Sequence, residues 1–306
     1  MNKRTLGKTG FSVTALGFGS APVGFVGTGD DRDARLLNAV LDAGINLIDT
    51  AASYNGAEAL IGQSIAHRRS EYVLVSKCGQ RIDEAPDAPA WSPEAITATV
   101  DRALKRLRTD AIDVMLLHTC DLDTLKKGDA LGALVKARDA GKIRFAGYSG
   151  DNAAAAYAAG LSDVAVIETS ISIADQVNID QVLPLTVQHN VGVLAKRPIA
   201  NAAWREPSEQ KGFYGDYAQV YRDRLSEMKF KPQDVGFGDA DWSELALRFT
   251  LSLAGVHTAI IGTTNPKNLA TNVAAVRKGP LPADAVAKIR AAFRTADPDG
   301  KWTGQT

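Results

Sequence analysis

Four side chains that could hold or transfer a proton lie at the ends of strand-like segments or just beyond them. They are Asp49, Tyr54, Lys77 and His118. Any one of them alone is more typical of a helix cap, a turn or a hydrogen-bonded structural histidine. The aspartate, the lysine and the histidine, however, close three successive apolar segments, and the tyrosine follows the first segment. That pattern indicates one shared site.

The chemistry of such a site follows from how these groups hold protons. An unperturbed tyrosine binds its proton too tightly to be an ideal acid at neutral pH. We expect Lys77 to lower the pKa of Tyr54 and Asp49 to keep Lys77 charged and oriented. His118 can donate a hydrogen bond to a substrate oxygen. Together they would protonate an alkoxide as it forms, which is what reduction of a carbonyl group by hydride requires.

Other kinds of chemistry find little support. No serine or cysteine stands with a base in a nucleophile motif, so acyl transfer is not indicated. His118 and Cys120 alone form too small a ligand set for zinc, and we predict no metal. Lys plus Arg and Asp plus Glu each number 35, so the formal net charge is +0 and no nucleic-acid partner is expected.

Eight short apolar segments could position the candidate residues. Most of them alternate with segments of helical spacing, and strands this apolar are typical of a parallel sheet buried on both faces. The segments are 13–18, 45–49, 72–77, 112–118, 143–149, 163–168, 191–196 and 258–264. Eight such units in about 300 residues predict an α/β fold of the (β/α)8 TIM-barrel type, with its chemistry at the carboxyl ends of the strands. A doubly wound sheet is the alternative, because strand count alone cannot close a barrel.

Three further features extend the predicted barrel. Short β-favouring runs predict an amino-terminal hairpin over 3–13, and 267–276 and 282–293 predict two closing helices. More than forty residues separate the seventh strand from a helix starting near Trp242, which is too long for a bare loop. We interpret this segment as a lid with its own helix, the alternative being a surface insertion. Its aromatic and helically spaced residues are Trp204, Phe213, Tyr214, Tyr217, Tyr221, Leu225 and Met228.

Length and composition bound the organisation of the chain. Its 306 residues carry no Pro-, Gly- or Ser-rich linker, so we predict a single domain over 1–306. The start lacks the apolar stretch of a signal peptide, no run of about 18 apolar residues occurs, and two cysteines make no disulfide framework. We therefore expect a soluble cytoplasmic protein without a membrane partner. Its oligomeric state is open, and a monomer is compatible with these observations.

The stretch from Gly44 to Tyr54 resembles a motif of the aldo-keto reductase family. The family pattern G-x-N-x-x-D-T-A-x-x-Y is met at every fixed position by GINLIDTAASY. The four candidate proton-transfer residues also match the family's catalytic tetrad, in order and at the expected strands. The resemblance covers essentially the whole chain, from LGFGS at 16–20 to IIGTTNPKNLATN at 260–272. It implies a (β/α)8 barrel that binds NADPH extended across its mouth, without a separate dinucleotide-binding domain.

The same resemblance implies a set of cofactor-binding residues. They are Gly19, Ser20, Asp49, Ser149, Glu168, Lys196, Arg197, Pro198, Gly262, Thr263, Thr264, Asn268 and Asn272. Three positions depart from the usual pattern. Gly150 stands where asparagine is common, Glu168 where glutamine is usual, and Lys196 where many members place an aromatic residue that stacks on nicotinamide. A lysine stem can cover an apolar ring face, which leaves stacking open for Lys196.

The resemblance implies NADP as the cofactor, with NAD as an alternative. A 2′-phosphate is normally held by an arginine or by several converging donors. Asn268 stands where NADPH-preferring relatives usually carry arginine, and Gly262 often replaces a basic residue of those relatives. We therefore expect NADPH to be favoured by a reduced margin. The groups left to hold the 2′-phosphate are the Thr263 and Thr264 hydroxyls, the Asn268 amide, the amino end of the following helix and Lys267 if it turns inward, with Asn272 at the adenine.

The function that follows is NAD(P)H-dependent reduction of an aldehyde or ketone, with Tyr54 as the general acid. The alternative is a non-catalytic, nucleotide-binding member of the fold that reports redox state to a partner. The residues that we expect to wall an apolar substrate pocket are Val23, Phe25, Trp91 and Trp204. Cys78 and Cys120 lie close behind two of the candidate catalytic residues, so their alkylation should slow the enzyme unless both are inert buried thiols.

Overall fold

The chain begins with an antiparallel hairpin and then winds eight parallel strands into a closed barrel. The structure, a computed structural model, describes residues 1–27, 31–83, 87–209 and 214–305. The hairpin strands are β1 (Lys3–Thr5) and β2 (Ser12–Thr14). The barrel strands are β3 (Leu16–Gly19), β4 (Leu47–Asp49), β5 (Val73–Cys78), β6 (Ile112–His118), β7 (Ile143–Ser149), β8 (Val164–Ser170), β9 (Gly192–Lys196) and β10 (Thr258–Ile261). The predicted (β/α)8 barrel and its hairpin are confirmed, and the doubly wound alternative is wrong.

Helices surround the barrel, and none of those described is long and apolar enough to cross a membrane. The α-helices are α1 (Ala21–Val26), α2 (Asp31–Asp42), α3 (Ala57–Ile65), α4 (Pro93–Leu107), α5 (Leu122–Lys127), α6 (Asp129–Asp139), α7 (Asn152–Ala159), α8 (Val177–Gln181), α9 (Leu183–Gln188), α10 (Tyr214–Met228), α11 (Trp242–Ser252), α12 (Pro266–Arg277) and α13 (Ala283–Ala296). Helix α4 begins as its sequence predicts, because the Ser92 hydroxyl accepts a hydrogen bond from the Ala95 N–H and Pro93 opens the first turn.

The barrel is filled with side chains, and the hairpin closes its amino-terminal end. Aliphatic residues of the strands, such as Leu47, Val114 and Leu194, form one buried cluster with Leu6 and Val13 of the hairpin region. A larger apolar cluster fills the space between the strands and the helices. Each fully buried aliphatic side chain stabilises the fold by about 1.5–3 kcal/mol. Because one end of the barrel is closed, the carboxyl ends of the strands form its open mouth.

Two predicted strand boundaries are wrong. The segment 13–18 is divided between β2 and β3, which belong to different sheets. The Thr14 N–H donates to the Asn46 side chain and the Thr14 hydroxyl donates to the Leu16 carbonyl oxygen, so the chain turns there. The segment itself, VTALGF, carries no charged residue and no proline, and hydropathy alone therefore shows no break. The eighth barrel strand stops at Ile261, which makes the last ladder pair with β3, and the residues after it form a loop.

The long segment after β9 contains the predicted helix, α10. This helix buries Ala218 and Tyr221 against the loops that follow β8 and β9. The Tyr221 hydroxyl donates to the Asp175 carboxylate at 2.9 Å. The role of a lid stays a prediction. Three of the side chains on which it was based lie outside the described residues, namely those of Phe213, Tyr214 and Tyr217.

Candidate active site

Three strands bring the predicted proton-transfer residues together at the mouth of the barrel. Asp49 and His118 are the last residues of β4 and β6, and Lys77 lies one residue before the end of β5. Lys77 Nζ lies 2.5 Å from Asp49 Oδ1 and 5.2 Å from the centroid of the Tyr54 ring. The ring centroids of Tyr54 and His118 are 6.1 Å apart. The four side chains therefore form one cluster.

Lys77 is the buried cation of this cluster, with an exposed fraction of 1%. Its ammonium group donates to Asp49 Oδ1 and to the Thr50 carbonyl oxygen at 3.0 Å, and it lies 3.3 Å from Glu168 Oε2. Burial by itself lowers the pKa of Lys77, but the charges of Asp49 and Glu168 outweigh that effect and raise the pKa above the ordinary lysine value. Lys77 is therefore charged at neutral pH.

Tyr54 and His118 are both neutral at neutral pH. Burial raises the pKa of Tyr54, Lys77 lowers it only in part, and two nearby acids raise it further. Lys77 thus lowers the pKa of Tyr54 as expected, but burial and the two acids outweigh it, and sequence spacing shows neither burial nor the second acid. Burial and the charges of Lys77 and Lys196 lower the pKa of His118 well below its ordinary value. A neutral imidazole can donate one hydrogen bond and accept another.

A large cavity leads from this cluster to the loop after β10. Its volume is about 890 Å³, within the usual range of ligand sites. The predicted cofactor residues that line it are Gly19, Asp49, Ser149, Glu168, Lys196, Arg197, Pro198, Gly262, Thr263, Thr264, Asn268 and Asn272. Ser20 is fully buried behind that wall, and its hydroxyl has no hydrogen-bond partner among the described residues.

Of the four residues predicted to wall the substrate pocket, only one lines the cavity. Phe25 lines the cavity, where its ring centroid lies 5.6 Å from that of Tyr54. The other three have apolar partners elsewhere. Val23 is buried in the outer core cluster, the Trp91 ring covers Gly79, and Trp204 stacks on the Trp242 ring at a centroid distance of 5.4 Å. Their types allow either place, and only the packing decides between them.

The departure from the family pattern at Gly150 has a steric cause. The Tyr148 hydroxyl donates to the Cys120 carbonyl oxygen at 2.7 Å and lies directly beside residue 150. A Cβ atom at that position would lie 2.4 Å from the Tyr148 hydroxyl oxygen. The asparagine that is common in the family has no room in this chain.

The departure at Lys196 comes with a partner that the sequence analysis missed. Lys196 Nζ lies 3.0 Å from Asp151 Oδ2, and Asp151 has an exposed fraction of only 3%. Asp151 follows the strand-end Ser149 by two positions, which is the signal that could have indicated it. The polar lining residues that were not predicted include Gln80, Thr119 and Arg205.

Cys78 and Cys120 are both buried, each with an exposed fraction of 2%. Burial raises the pKa of the Cys120 thiol to about 12 and that of the Cys78 thiol still further. The thiolate is the reactive form of cysteine, so both are poor nucleophiles at neutral pH. These observations support the alternative of two inert thiols.

The closed barrel and the Asp-Tyr-Lys-His cluster at its mouth define a class of oxidoreductase barrels, and comparison with known proteins identifies the family. The sequence profile of the Aldo/keto reductase family matches residues 15–294. The chain belongs to this family of NAD(P)-dependent oxidoreductases.

Individual relatives are similar along most of their length. L-galactose dehydrogenase of Arabidopsis thaliana is 27% identical over 290 residues, covering 89% of this chain and 87% of the relative. The structure of an aldo-keto reductase from Bacillus halodurans in its holo form has a TM-score of 0.79 and 27% identity, covering 95% and 96% of the two chains. An aldo-keto reductase from Klebsiella pneumoniae in complex with NADPH has a TM-score of 0.74 and 25% identity, covering 96% of each chain.

Proposed function

We propose that this protein reduces an aldehyde or ketone to the alcohol with NADPH, and that Tyr54 is the general acid. The observation that carries the proposal is the buried ion pair of Lys77 and Asp49, at 2.5 Å, with the Tyr54 ring beside the ammonium group. The NADPH complex of the Klebsiella pneumoniae relative supports the choice of cofactor. A small carbonyl compound is the substrate class on which the family acts.

The chemistry of the cavity fits a nicotinamide dinucleotide at both ends. Near the cluster, Ser149 and Glu168 present polar groups that would hold the nicotinamide. At the far end Asn265 caps α12, accepting a hydrogen bond from the Lys267 N–H at 3.0 Å. The amino end of that helix favours a phosphate group. Arg197 lines the same cavity and would face the pyrophosphate.

The chain's own residues would carry out every step except the delivery of hydride, which the bound dihydronicotinamide supplies. Neutral His118 donates a hydrogen bond to the carbonyl oxygen and polarises it. The oxygen gains negative charge as the carbon is reduced, and Tyr54 gives it a proton. Lys77 stabilises the phenolate that remains. Because Asp49 and Lys77 are buried, their charge interactions with the site are stronger than in solution.

The general acid is tested by Tyr54→Phe. We expect turnover of a good aldehyde to fall by about two to four orders of magnitude, the usual effect of removing a positioned acid. The dissociation constant for NADPH, measured by fluorescence titration, should change little. Tyr72→Phe is the matched control, because it removes a buried hydroxyl without a partner among the described residues. Near-parental turnover in the Tyr54 variant would show that the acid is elsewhere.

We further propose that NADPH is preferred over NADH by a reduced margin. Thr263, Asn268 and Asn272 line the cavity beside the loop after β10, and residue 268, where NADPH-preferring relatives usually carry arginine, is an asparagine. The Thr263 hydroxyl is already engaged, since it accepts hydrogen bonds from the Asn265 N–H and the Asn268 amide. One charge-assisted pair is worth about 1.5–3 kcal/mol, or roughly ten- to a hundredfold in preference.

The cofactor margin is tested by Asn268→Arg, with Asn268→Gln as the control for side-chain length. The arginine should raise the ratio of kcat/KM for NADPH to that for NADH by about ten- to a hundredfold, and the glutamine should not. A wild-type preference above about a thousandfold would contradict the proposal, because it would mean that a basic group such as Arg205, which also lines the cavity, binds the 2′-phosphate.

A further inference from the structure

Glu168 is an acid inside the catalytic cluster to which the tetrad assigns no proton. It lies on β8, lines the cavity and has an exposed fraction of 3%. Its Oε2 atom is 3.3 Å from Lys77 Nζ, yet it accepts no hydrogen bond in the part of the chain that the structure describes. A glutamine would fill the same space without the charge.

Glu168 Oε2 lacks a hydrogen bond because Lys77 has fewer N–H donors than there are acceptors around it. An ammonium group carries three N–H donors. Four acceptors surround it: Asp49 Oδ1 at 2.5 Å, the Thr50 carbonyl oxygen at 3.0 Å, the Tyr54 hydroxyl and Glu168 Oε2. Glu168 is the acceptor left out, so Lys77 does not neutralise both carboxylates by hydrogen bonding.

The net charge of the cluster also argues against two ionised carboxylates beside Lys77. Two ionised carboxylates beside one ammonium group would leave a buried net charge of −1, and two carboxylates that share a site do not both ionise easily. Burial, the charge of Glu168 and a hydrogen bond between the two carboxyl groups together raise the pKa of Asp49 well above its ordinary value, although Lys77 opposes this. The ionisable groups that surround Glu168 are Asp49, Tyr54, Lys77 and His118, with Asp151 and Lys196 beyond them.

We propose that Glu168 is a fifth ionisable member of the catalytic cluster, and that Glu168 and Asp49 hold one proton between them beside Lys77. With that proton the two acids and Lys77 are neutral together. The proton belongs to the two carboxyl groups together and to neither residue alone. On the proton transfer Glu168 acts through Tyr54 and Lys77, besides the contact with the nicotinamide proposed above.

A consequence for catalysis follows if the proposed function holds. When the shared proton is lost, the two acids with Lys77 carry a charge of −1. Tyr54 then gives up its proton less readily, because its phenolate adds a second negative charge. The kcat/KM for carbonyl reduction should therefore fall at the alkaline pH at which the shared proton is removed. In Glu168→Gln, Asp49 is ionised beside Lys77 throughout, and this fall should be absent.

The shared proton is tested directly by infrared difference spectroscopy of the folded protein at neutral pH. A protonated carboxyl group has a C=O stretching band that carboxylates lack. Glu168→Gln and Asp49→Asn should remove the same band, because only one proton is held. Asp175→Asn is the control, since burial raises the pKa of Asp175 to about 7 and gives it a separate band. The proposal is overturned if the band persists in either cluster variant, and the second variant decides should the first not fold.

The kinetic consequence is tested by pH profiles of kcat/KM for an aldehyde that the wild type reduces. The ratio of Glu168→Gln to wild type should rise by about tenfold across the alkaline limb, the size of a one-unit shift. Glu58→Gln, at a buried acid that accepts from the Ser76 hydroxyl at 2.8 Å, should follow the wild-type profile. A uniform loss at every pH would mean that Glu168 is merely structural. If no carbonyl compound is reduced, the proposed function fails, and the infrared result still decides the shared proton.

Discussion

Two buried acid–lysine pairs lie at the mouth of the barrel and behave in opposite ways. Asp49 pairs with Lys77 at 2.5 Å, and Asp151 pairs with Lys196 at 3.0 Å. Each aspartate has an exposed fraction of 3%. Yet the pKa of Asp49 is raised well above its ordinary value, and that of Asp151 is lowered. Burial and a neighbouring lysine, which the two sites share, cannot explain the difference.

The difference lies in what else surrounds each carboxylate. Asp151 Oδ1 accepts hydrogen bonds from the Thr169 hydroxyl, the Ser170 N–H and the Asn178 amide at 2.7–2.8 Å. Burial raises the pKa of Asp151, but Lys196 and these bonds outweigh it. Asp49 has a second acid, Glu168, in place of such donors. A fully hydrogen-bonded pair holds its charges permanently, whereas a crowded pair can exchange a proton.

The largest expected effect separates the two lysines. Lys77→Met should lower kcat by about two to four orders of magnitude, because the phenolate of Tyr54 loses its stabilising charge. Lys196→Met should lower kcat by less than about tenfold and act mainly on cofactor affinity. Steady-state kinetics and fluorescence titration of NADPH measure both quantities. Equal losses of kcat in the two variants would contradict the distinction between the pairs.

The next effect concerns stability, for which the Asp151–Lys196 pair should matter more than the Asp49–Lys77 pair. Asp151→Asn should lower the free energy of unfolding by about 3 kcal/mol, because Lys196 is left without its counter-ion and faces an amide donor. Asp49→Asn should lower it by less than about 1 kcal/mol, because Glu168 replaces Asp49 as the partner of Lys77. Urea unfolding at neutral pH measures both values. A larger loss at Asp49 would mean that its pair is also structural.

A third buried acid, Asp175, should make the stability of the protein depend on pH. Burial raises the pKa of Asp175 to about 7, whereas an unfolded aspartate has a pKa of about 3.9. The folded state thus binds more protons between these values, so stability falls as the pH rises from about 4 to about 7, by at most about 1.4 kcal/mol per unit. Urea unfolding over this range should show the slope in the wild type and a flatter one in Asp175→Asn. An equal slope in both would assign it to other groups.

The smallest effect concerns residues near the carboxyl end of the chain, which contact Asp175 and Arg224. The Gln305 N–H donates to Asp175 Oδ2 at 3.0 Å, and Arg224 donates to the Thr303 carbonyl oxygen at 2.7 Å. The Trp302 ring lies 4.9 Å from that of Phe293 and is partly exposed. Trp302→Ala should therefore lower the free energy of unfolding by about 1 kcal/mol without changing kcat for reduction. A fall in kcat larger than about tenfold would show that these residues support the catalytic cluster as well.

Much of the site could be predicted from sequence because position at a strand end is a local property. Asp49, Lys77 and His118 each close an apolar segment, and parallel strands place their carboxyl ends at one edge whatever the rest of the chain does. The eight strands, the hairpin and the helix in the long segment after β9 follow from periodicity in the same way. The family motif at Gly44 to Tyr54 added the expected partners.

Tertiary structure alone decided which groups surround each of those side chains. It set the direction of the Tyr54 pKa, brought Glu168 to Lys77, and joined Asp151 to Lys196. It also divided the apolar segment 13–18 between two sheets. The physical reason is that burial, charge pairing and packing join residues far apart in the chain. Residue type and spacing record which groups are available, and only the packed barrel determines which of them meet.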